Sequence, residues 1–543
     1  MSLTEQLYNH LSLFDLSLAF LGLFVFSCLR EKLTNKHGPM LWPVFGITFE
    51  FFCHINDVYG WVTRTLRNCR GTFLYCGVWL DGSYGAVTCV PANIEYILKT
   101  NFNNFPKGTF FKDRFSDLLE DGIFNADDES WKEQRRIIIT EMHSTGFAEH
   151  SFQTTQYLVS KKLLKVMESF ASSQEAFDLQ DVLLRLTFDI ICIAGLGDDP
   201  GTLAADLPLV PFAKAFEEAT ESTLFRFMIP PFIWKPMRFL NIGYEKGLKK
   251  AVAVVHGFVN KMIVDRICKL KEEETLDNRS DVLSRVIQIE SHKRNNEIDP
   301  STIRFFRQFC TSFILAGRDT SSVAISWFFW VIQKHPEVEN KLISEIREIL
   351  RQRGDDQEEA SKNESLFRVR ELNKMVYLQA ALSETLRLYP PIPMEMKQAI
   401  EDDVLPDGTF VKKGSRVYFS IYAMARMESI WGKDCEMFRP ERWIQAGKFV
   451  NDDQFKYVVF NAGPRLCLGK TFAYLQMKMI AASVLLRYSI KVVQDHVVVP
   501  RVTTNLYMKY GLKVTITPRV KKCFHPWSNI ERLLYIGLEH QEF

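Results

Sequence analysis

Cys467 is the residue whose neighbours say most about chemistry. The stretch Phe460-Asn461-Ala462-Gly463-Pro464-Arg465-Leu466-Cys467-Leu468-Gly469 sets one cysteine between two glycines and two residues after an arginine. A good helical sequence from Lys470 to Leu486 follows it. Glycines this close let backbone approach a bulky planar group that a Cβ would strike. Backbone N–H groups can bond a thiolate sulfur, and the helix start adds a partial positive charge that keeps Cys467 deprotonated. Arg465 can reach an anionic edge of the same ligand. These features fit haem b, with Cys467 as the axial thiolate on iron; a buried inert cysteine in a turn needs none of them.

A second constellation is Ala316-Gly317-Arg318-Asp319-Thr320-Ser321, inside a long helix predicted from about Ser301 to His335. Gly in mid-helix costs about 1 kcal/mol relative to Ala, so a plain core helix gains nothing from it. An oxygen-activating helix would: Gly317 would remove bulk over the haem, the Thr320 hydroxyl could bond the distal oxygen, and Asp319 could relay protons from solvent. Trp131 and Arg135 share a face of a helix opening near Asp127 and by themselves read as a surface aromatic–cation pair. Glu384 and Arg387 share a face of a helix from Met375 to Leu388, whose apolar flanks argue for a buried pair that needs further partners.

The rest of the chain must position these groups. Its 543 residues show neither linkers nor a repeat period, which favours one large unit over several domains. Apolar content of 47% supplies a sizeable core, and a net charge of +2 with no basic tract argues against nucleic acid. The 11 cysteines include no Cys-x-x-Cys pair and the 11 histidines no His-x-x-x-His, so neither a zinc site nor a disulfide framework is indicated.

In chain order, Leu11 to Leu29 is apolar apart from three serines and Asp15, and Arg30, Lys32 and Lys36 follow. Such a run spans about 28 Å as a helix, and its flanks favour an uncleaved anchor over a signal peptide, with the bulk of the chain cytosolic. The sequons at Asn278 and Asn363 then stay unglycosylated. Thr72 to Val90 reads as a hairpin turning at Asp81-Gly82, followed by a short helix and a Phe-rich loop, Phe102 to Phe115. Residues 152 to 270 are mostly helical, broken near Gly197 to Gly201 and at Pro230-Pro231, and Phe212 to Trp234 is rich in aromatics. Lys271 to Ser280 and Ser291 to Pro300 read as exposed loops. Val497 to Val502 and Leu506 to Thr517 read as a closing hairpin, and residues 519–543 form a tail without an assigned role.

The cysteine stretch resembles the haem-binding loop of the cytochrome P450 monooxygenases, Phe-x-x-Gly-x-Arg-x-Cys-x-Gly, with Phe460, Gly463, Arg465, Cys467 and Gly469 in every fixed place. Ala316 to Ser321, Glu384 to Arg387 and Phe438-Arg439-Pro440-Glu441-Arg442-Trp443 resemble the family's other motifs, in the family's order. The resemblance implies a mainly α fold with a small β region, an anchor over 1–37 and a catalytic domain over 38–518. It implies that Trp131 and Arg135 bond a haem propionate, that Arg442 joins Glu384 and Arg387, that Ile392 to Met396 point at the haem cavity, and that Phe212 to Trp234 roof the substrate channel. It also implies insertion of oxygen from O2, electrons from NADPH–cytochrome P450 reductase, and a place on the endoplasmic reticulum membrane. The run Met375 to Trp443 looks most like the plant fatty acid omega-hydroxylases, nearest those acting on very-long-chain acids for cutin and suberin. A sterol or terpenoid hydroxylase, a haem-thiolate isomerase or dehydratase of lipid hydroperoxides needing no reductase, and a non-catalytic haem sensor are the other readings.

Overall fold

A computed structural model describes residues 13–78, 84–272, 281–293, 299–353 and 366–519. The turn at Asp81-Gly82, both sequons, residues 11 and 12 of the apolar run, most of the two expected loops and the tail beyond residue 519 lie outside the described residues. The fold is mainly helical with two small sheets and two short strand pairs.

The elements that matter for the site are helices α1 (Leu13–Thr34), α2 (Gly108–Leu119), α3 (Asp128–Met142), α4 (Leu179–Ile191), α5 (Pro211–Met228), α6 (Gly243–Glu272), α7 (Pro300–Ile314), α8 (Thr320–Ile332), α9 (Val376–Leu388) and α10 (Lys470–Arg487). Strands β1 (Thr72–Cys76) and β2 (Tyr84–Thr88) form the expected hairpin, in register from Thr72 opposite Thr88 to Cys76 opposite Tyr84. Beside them lie β5 (Arg416–Ser420), parallel to β2, and β4 (Met394–Gln398), antiparallel to β5. A second sheet runs β6 (Tyr488–Val492), β7 (Lys513–Pro518), β3 (Phe177–Asp178).

Local chemistry explains the boundaries. The Asp299 carboxylate accepts from Thr302 N at 2.7 Å and Pro300 opens α7, a favoured start. Asp178 caps α4 in the same way through Gln180 N at 2.9 Å. Nearly every residue of α8 is buried, as an all-round apolar helix requires, and it packs against α4, α9 and α10 to make the main core.

Three expectations change. The Phe-rich loop is largely helix: Gly108, at φ +78°, turns the chain into α2, which packs Phe111 and Phe115 against Phe227 at the end of α5. The closing hairpin has a different first strand. Tyr488–Val492 pairs with β7, whereas Val497 to Val502 contributes only an isolated bridge at Pro500, because Tyr488 and Ile490 bury one strand face directly after α10. The anchor is not shown: no helix among the described residues is long and apolar enough to cross a membrane.

Among the described residues, α9 holds the best-buried ion pair. Arg387 Nε and Nη2 donate to Glu384 Oε2 and Oε1, each at 2.8 Å, and both side chains are at most 1% exposed. Glu384 also accepts from Arg439 N at 3.0 Å and Trp443 Nε1 at 2.9 Å. Arg442 reaches it only at 3.4 Å and pairs more closely with Asp434, at 3.1 Å. Removing one partner of such a pair strands a buried charge. Glu384→Gln is therefore expected to lower stability by about 3–5 kcal/mol, read from denaturant unfolding midpoints, with Arg442→Gln costing much less.

Candidate haem-thiolate site

The cysteine loop is built from backbone closures. Cys467 N donates to Phe460 O at 2.8 Å and Leu466 N to Gly463 O at 3.1 Å, which folds the loop into two short turns before α10 begins at Lys470. Gly463 lies at φ +59°, and a Cβ there would collide with the Leu98 carbonyl. The neighbouring chain therefore by itself demands glycine here. Phe460 packs on Tyr474 at 5.2 Å between ring centroids, anchoring the loop to α10.

Cys467 is accessible, yet protein crowds it closely enough that burial pushes the thiol up from its usual range. The Gly469 N–H, Arg135 and Lys470 oppose that rise only in part. A coordinating metal ion deprotonates such a thiol outright.

α3 lies against the loop. Trp131 is buried, Arg135 sits 5.6 Å from its ring, and Arg135 Nη2 donates to Leu466 O at 2.7 Å. Arg465 lies over the same ring at 4.5 Å and pairs with Asp127 at 2.7 Å. The sequence places Trp131, Arg135, Arg465 and Cys467 at one site, and the structure brings these four together. What it missed are Lys107, Lys397 and Glu395: Glu395 Oε1 accepts from Lys107 Nζ at 2.8 Å and from Lys397 Nζ at 2.6 Å. Asn461 Nδ2 ties that carboxylate to the cysteine loop at 2.7 Å. A lysine on a short strand carries no motif; its burial with Arg465 nearby is a tertiary result.

The donor set fits a haem. Lys107, Lys112, Lys397 and Arg465 gather around Asp127, Glu395 and, less closely, Asp128, leaving positive charge in excess. Arg465 Nε is buried without a hydrogen-bond partner among the described residues. A dianionic ligand edge would satisfy both the charge and the orphan donor.

On the other side, Leu315–Asp319 forms one wide turn with i→i+5 bonding between α7 and α8, so the long helix is continuous but bulged at the motif. A Cβ on Gly317 would collide with Ile191 of α4. Gly317 therefore lets two helices approach, and Ala316 beside it is accessible. Thr320 Oγ1 donates to Ala316 O at 2.7 Å. Asp319 is buried beside Arg318, at 2.7 Å, and burial raises its carboxyl above the usual range despite Arg318. Ile392 is accessible while Met396 is buried, so only the first end of that segment is open.

Comparison with known proteins agrees with this geometry. The Cytochrome P450 family profile matches residues 37–516. The chain is 47% identical to cytochrome P450 86B1 of Arabidopsis thaliana, over 92% of this chain and 89% of that protein. It is 40% identical to cytochrome P450 94A2 of Vicia sativa, over 90% and 92%. It is 35% identical to noroxomaritidine synthase 1 of Narcissus pseudonarcissus, over 93% and 96%. The chain belongs to the cytochrome P450 family, the haem-thiolate monooxygenases whose iron takes an axial cysteine.

Burial, Glu395's partner Lys107 and the nearby Arg465 bring Lys397 down to about 7, against the pull of Glu395. Between about pH 7 and the ordinary lysine value near 10.4 the unfolded chain therefore holds the extra proton, so stability rises with pH in that window. In haem-free protein, unfolding midpoints of wild type are expected to climb from pH 7 to pH 10 relative to Lys397→Met.

Proposed function

We propose that this protein hydroxylates the terminal carbon of long- to very-long-chain fatty acids, for polyesters of the cutin and suberin kind. The observation that carries the substrate class is the resemblance of Met375 to Trp443 to the plant fatty acid omega-hydroxylases. The higher identity to cytochromes P450 86B1 and 94A2 than to noroxomaritidine synthase 1 supports it. The half-buried rings of Phe111 and Phe227, 5.9 Å apart between centroids and backed by buried Phe115, offer apolar surface on which each buried CH2 of an acyl chain gains about 0.8 kcal/mol.

In this reading Cys467 is the axial ligand, Phe460 shapes its loop, and Arg465, Trp131, Arg135 and Lys397 hold the carboxylate-bearing edge of the haem. The bound haem supplies activation of O2 and insertion of one oxygen atom into a C–H bond. Asp319 is the acid: burial lets it hold a proton closer to neutral pH than an ordinary carboxyl. Thr320 passes that proton on, once its hydroxyl leaves Ala316 O. Electrons come from NADPH–cytochrome P450 reductase.

The catalytic unit spans 38–518, a reading supported by the family match over 37–516. Residues 1–37 seat it on the endoplasmic reticulum membrane. Support for that comes from α1, where Phe14, Phe20, Leu23 and Phe26 are each at least 65% exposed, a poor arrangement in water.

Membranes holding the protein and its reductase, given NADPH and saturated acids of medium to very long chain, are expected to yield terminal alcohols by mass spectrometry. No hydroxylated acid, alongside a normal thiolate spectrum with carbon monoxide, would move the substrate to sterols, terpenoids or hydroperoxides. Asp319→Asn and Thr320→Ala are each expected to slow product formation by about 10²-fold while more of the NADPH consumed ends as hydrogen peroxide.

A further inference from the structure

Asp319 is held in place. It accepts from Arg318 Nη1 at 2.7 Å and Asn505 Nδ2 at 3.4 Å, and the Tyr507 hydroxyl also bonds it. The other end of the same guanidinium, Nη2, donates to Glu217 Oε1 at 2.9 Å. Arg318, 2% exposed, thus stands between two carboxylates on different elements, Asp319 in the bulged turn and Glu217 on α5. The Thr187 hydroxyl donates to the Arg318 carbonyl at 2.7 Å and fixes the backbone below it. One helical turn beyond Glu217, Glu221 pairs with Arg501, in the segment that also supplies Asn505 and Tyr507. Two neighbouring carboxylates therefore tie α5 down, and only Glu217 reaches the group that holds the acid.

One guanidinium shared by two carboxylates grips each less firmly than it would grip one alone. With Glu217 withdrawn, the whole charge of Arg318 falls to Asp319 in surroundings of low polarity, where such a pair is strong and hard to separate. Asp319 must separate from it to act, because the hydrogen bonds given for its carboxylate run to Arg318, Asn505 and Tyr507 and not toward Thr320.

We propose that Glu217 and Arg318 are positioning residues that link the seating of α5 to proton delivery: Glu217, when seated on Arg318, loosens Asp319 for transfer. Protons then reach the site only when Glu217 is seated on Arg318. The inference rests on Asp319 being the acid, as proposed above.

Glu217 is 42% exposed, so Glu217→Gln should fold. The test uses the compound that gives most product in the screen of acids, sterols and terpenoids. Losing one charged hydrogen bond is expected to lower kcat about tenfold, with KM within about twofold. The peroxide share of NADPH consumed and the solvent deuterium isotope effect should both rise. Amide hydrogen exchange across 211–228, which needs no substrate, should quicken in Glu217→Gln. Glu221→Gln, which cuts the tie that misses Asp319 and leaves Glu217 paired with Arg318, should keep wild-type coupling and isotope effect. The proposal is overturned if Glu217→Gln keeps wild-type coupling and isotope effect, or if Glu221→Gln reproduces its losses, which would make both ties merely structural. Asp319→Asn separates the two readings: impaired Asp319→Asn with normal Glu217→Gln removes only the switch, whereas unimpaired Asp319→Asn removes the acid and the switch with it.

Discussion

A buried charge is tolerated only where an opposite charge is fixed beside it, and the region around Cys467 is arranged by that constraint. Glu384 and Arg387 are the deepest case. Their two parallel hydrogen bonds use one side of each group, so the remaining valences recruit Arg439 N, Trp443 Nε1 and the carbonyls of Ala425 and Cys435. Those partners lie on irregular chain between β5 and the cysteine loop. The pair thereby turns a stretch with little regular structure into a rigid floor, and Tyr457, packed on Trp443 at 4.6 Å, carries that order to the loop.

The same rule recurs on either side of the cysteine. Asp127 and Glu395 are each surrounded by more cations than they can neutralise, which makes the site receptive to an anionic cofactor edge. Asp319 meets one cation that it must share. The first arrangement suits permanent binding of a cofactor; the second suits a group whose proton has to move. Identical residue types thus serve different ends according to how many partners compete for them.

The bulge at Leu315–Asp319 shows how backbone geometry enters the chemistry. Thr320 answers an Ala316 carbonyl that the wider turn leaves available, and Gly317 admits Ile191, so α4 presses on the turn from behind. The turn is thus held by a neighbouring helix and by Thr187, and the Asp319 side chain projects toward Arg318, Asn505 and Tyr507. Only a displacement of those partners lets it turn elsewhere.

Motifs whose meaning is local were readable in the sequence. The cysteine loop, the Asp319-Thr320 pair, the shared face of Trp131 and Arg135 and that of Glu384 and Arg387 depend on spacing within a few residues, and backbone periodicity converts such spacing into proximity. The hairpin of β1 and β2 and the helical character of 152–270 were legible for the same reason. The contact of Gly317 with α4 was not legible, because what its missing Cβ admits lies more than a hundred residues earlier. The strand partner of β7 was misplaced because Tyr488–Val492 directly follows α10 and carries no turn signal between them. Lys107, Lys397 and Glu395 were invisible, since a buried cation cluster assembled from a loop and a short strand has no sequence period. Sequence alone marked the candidates for haem binding and proton transfer whose spacing is local. Tertiary structure decided which charges share a partner, because burial and competition between distant carboxylates exist only once the chain has folded.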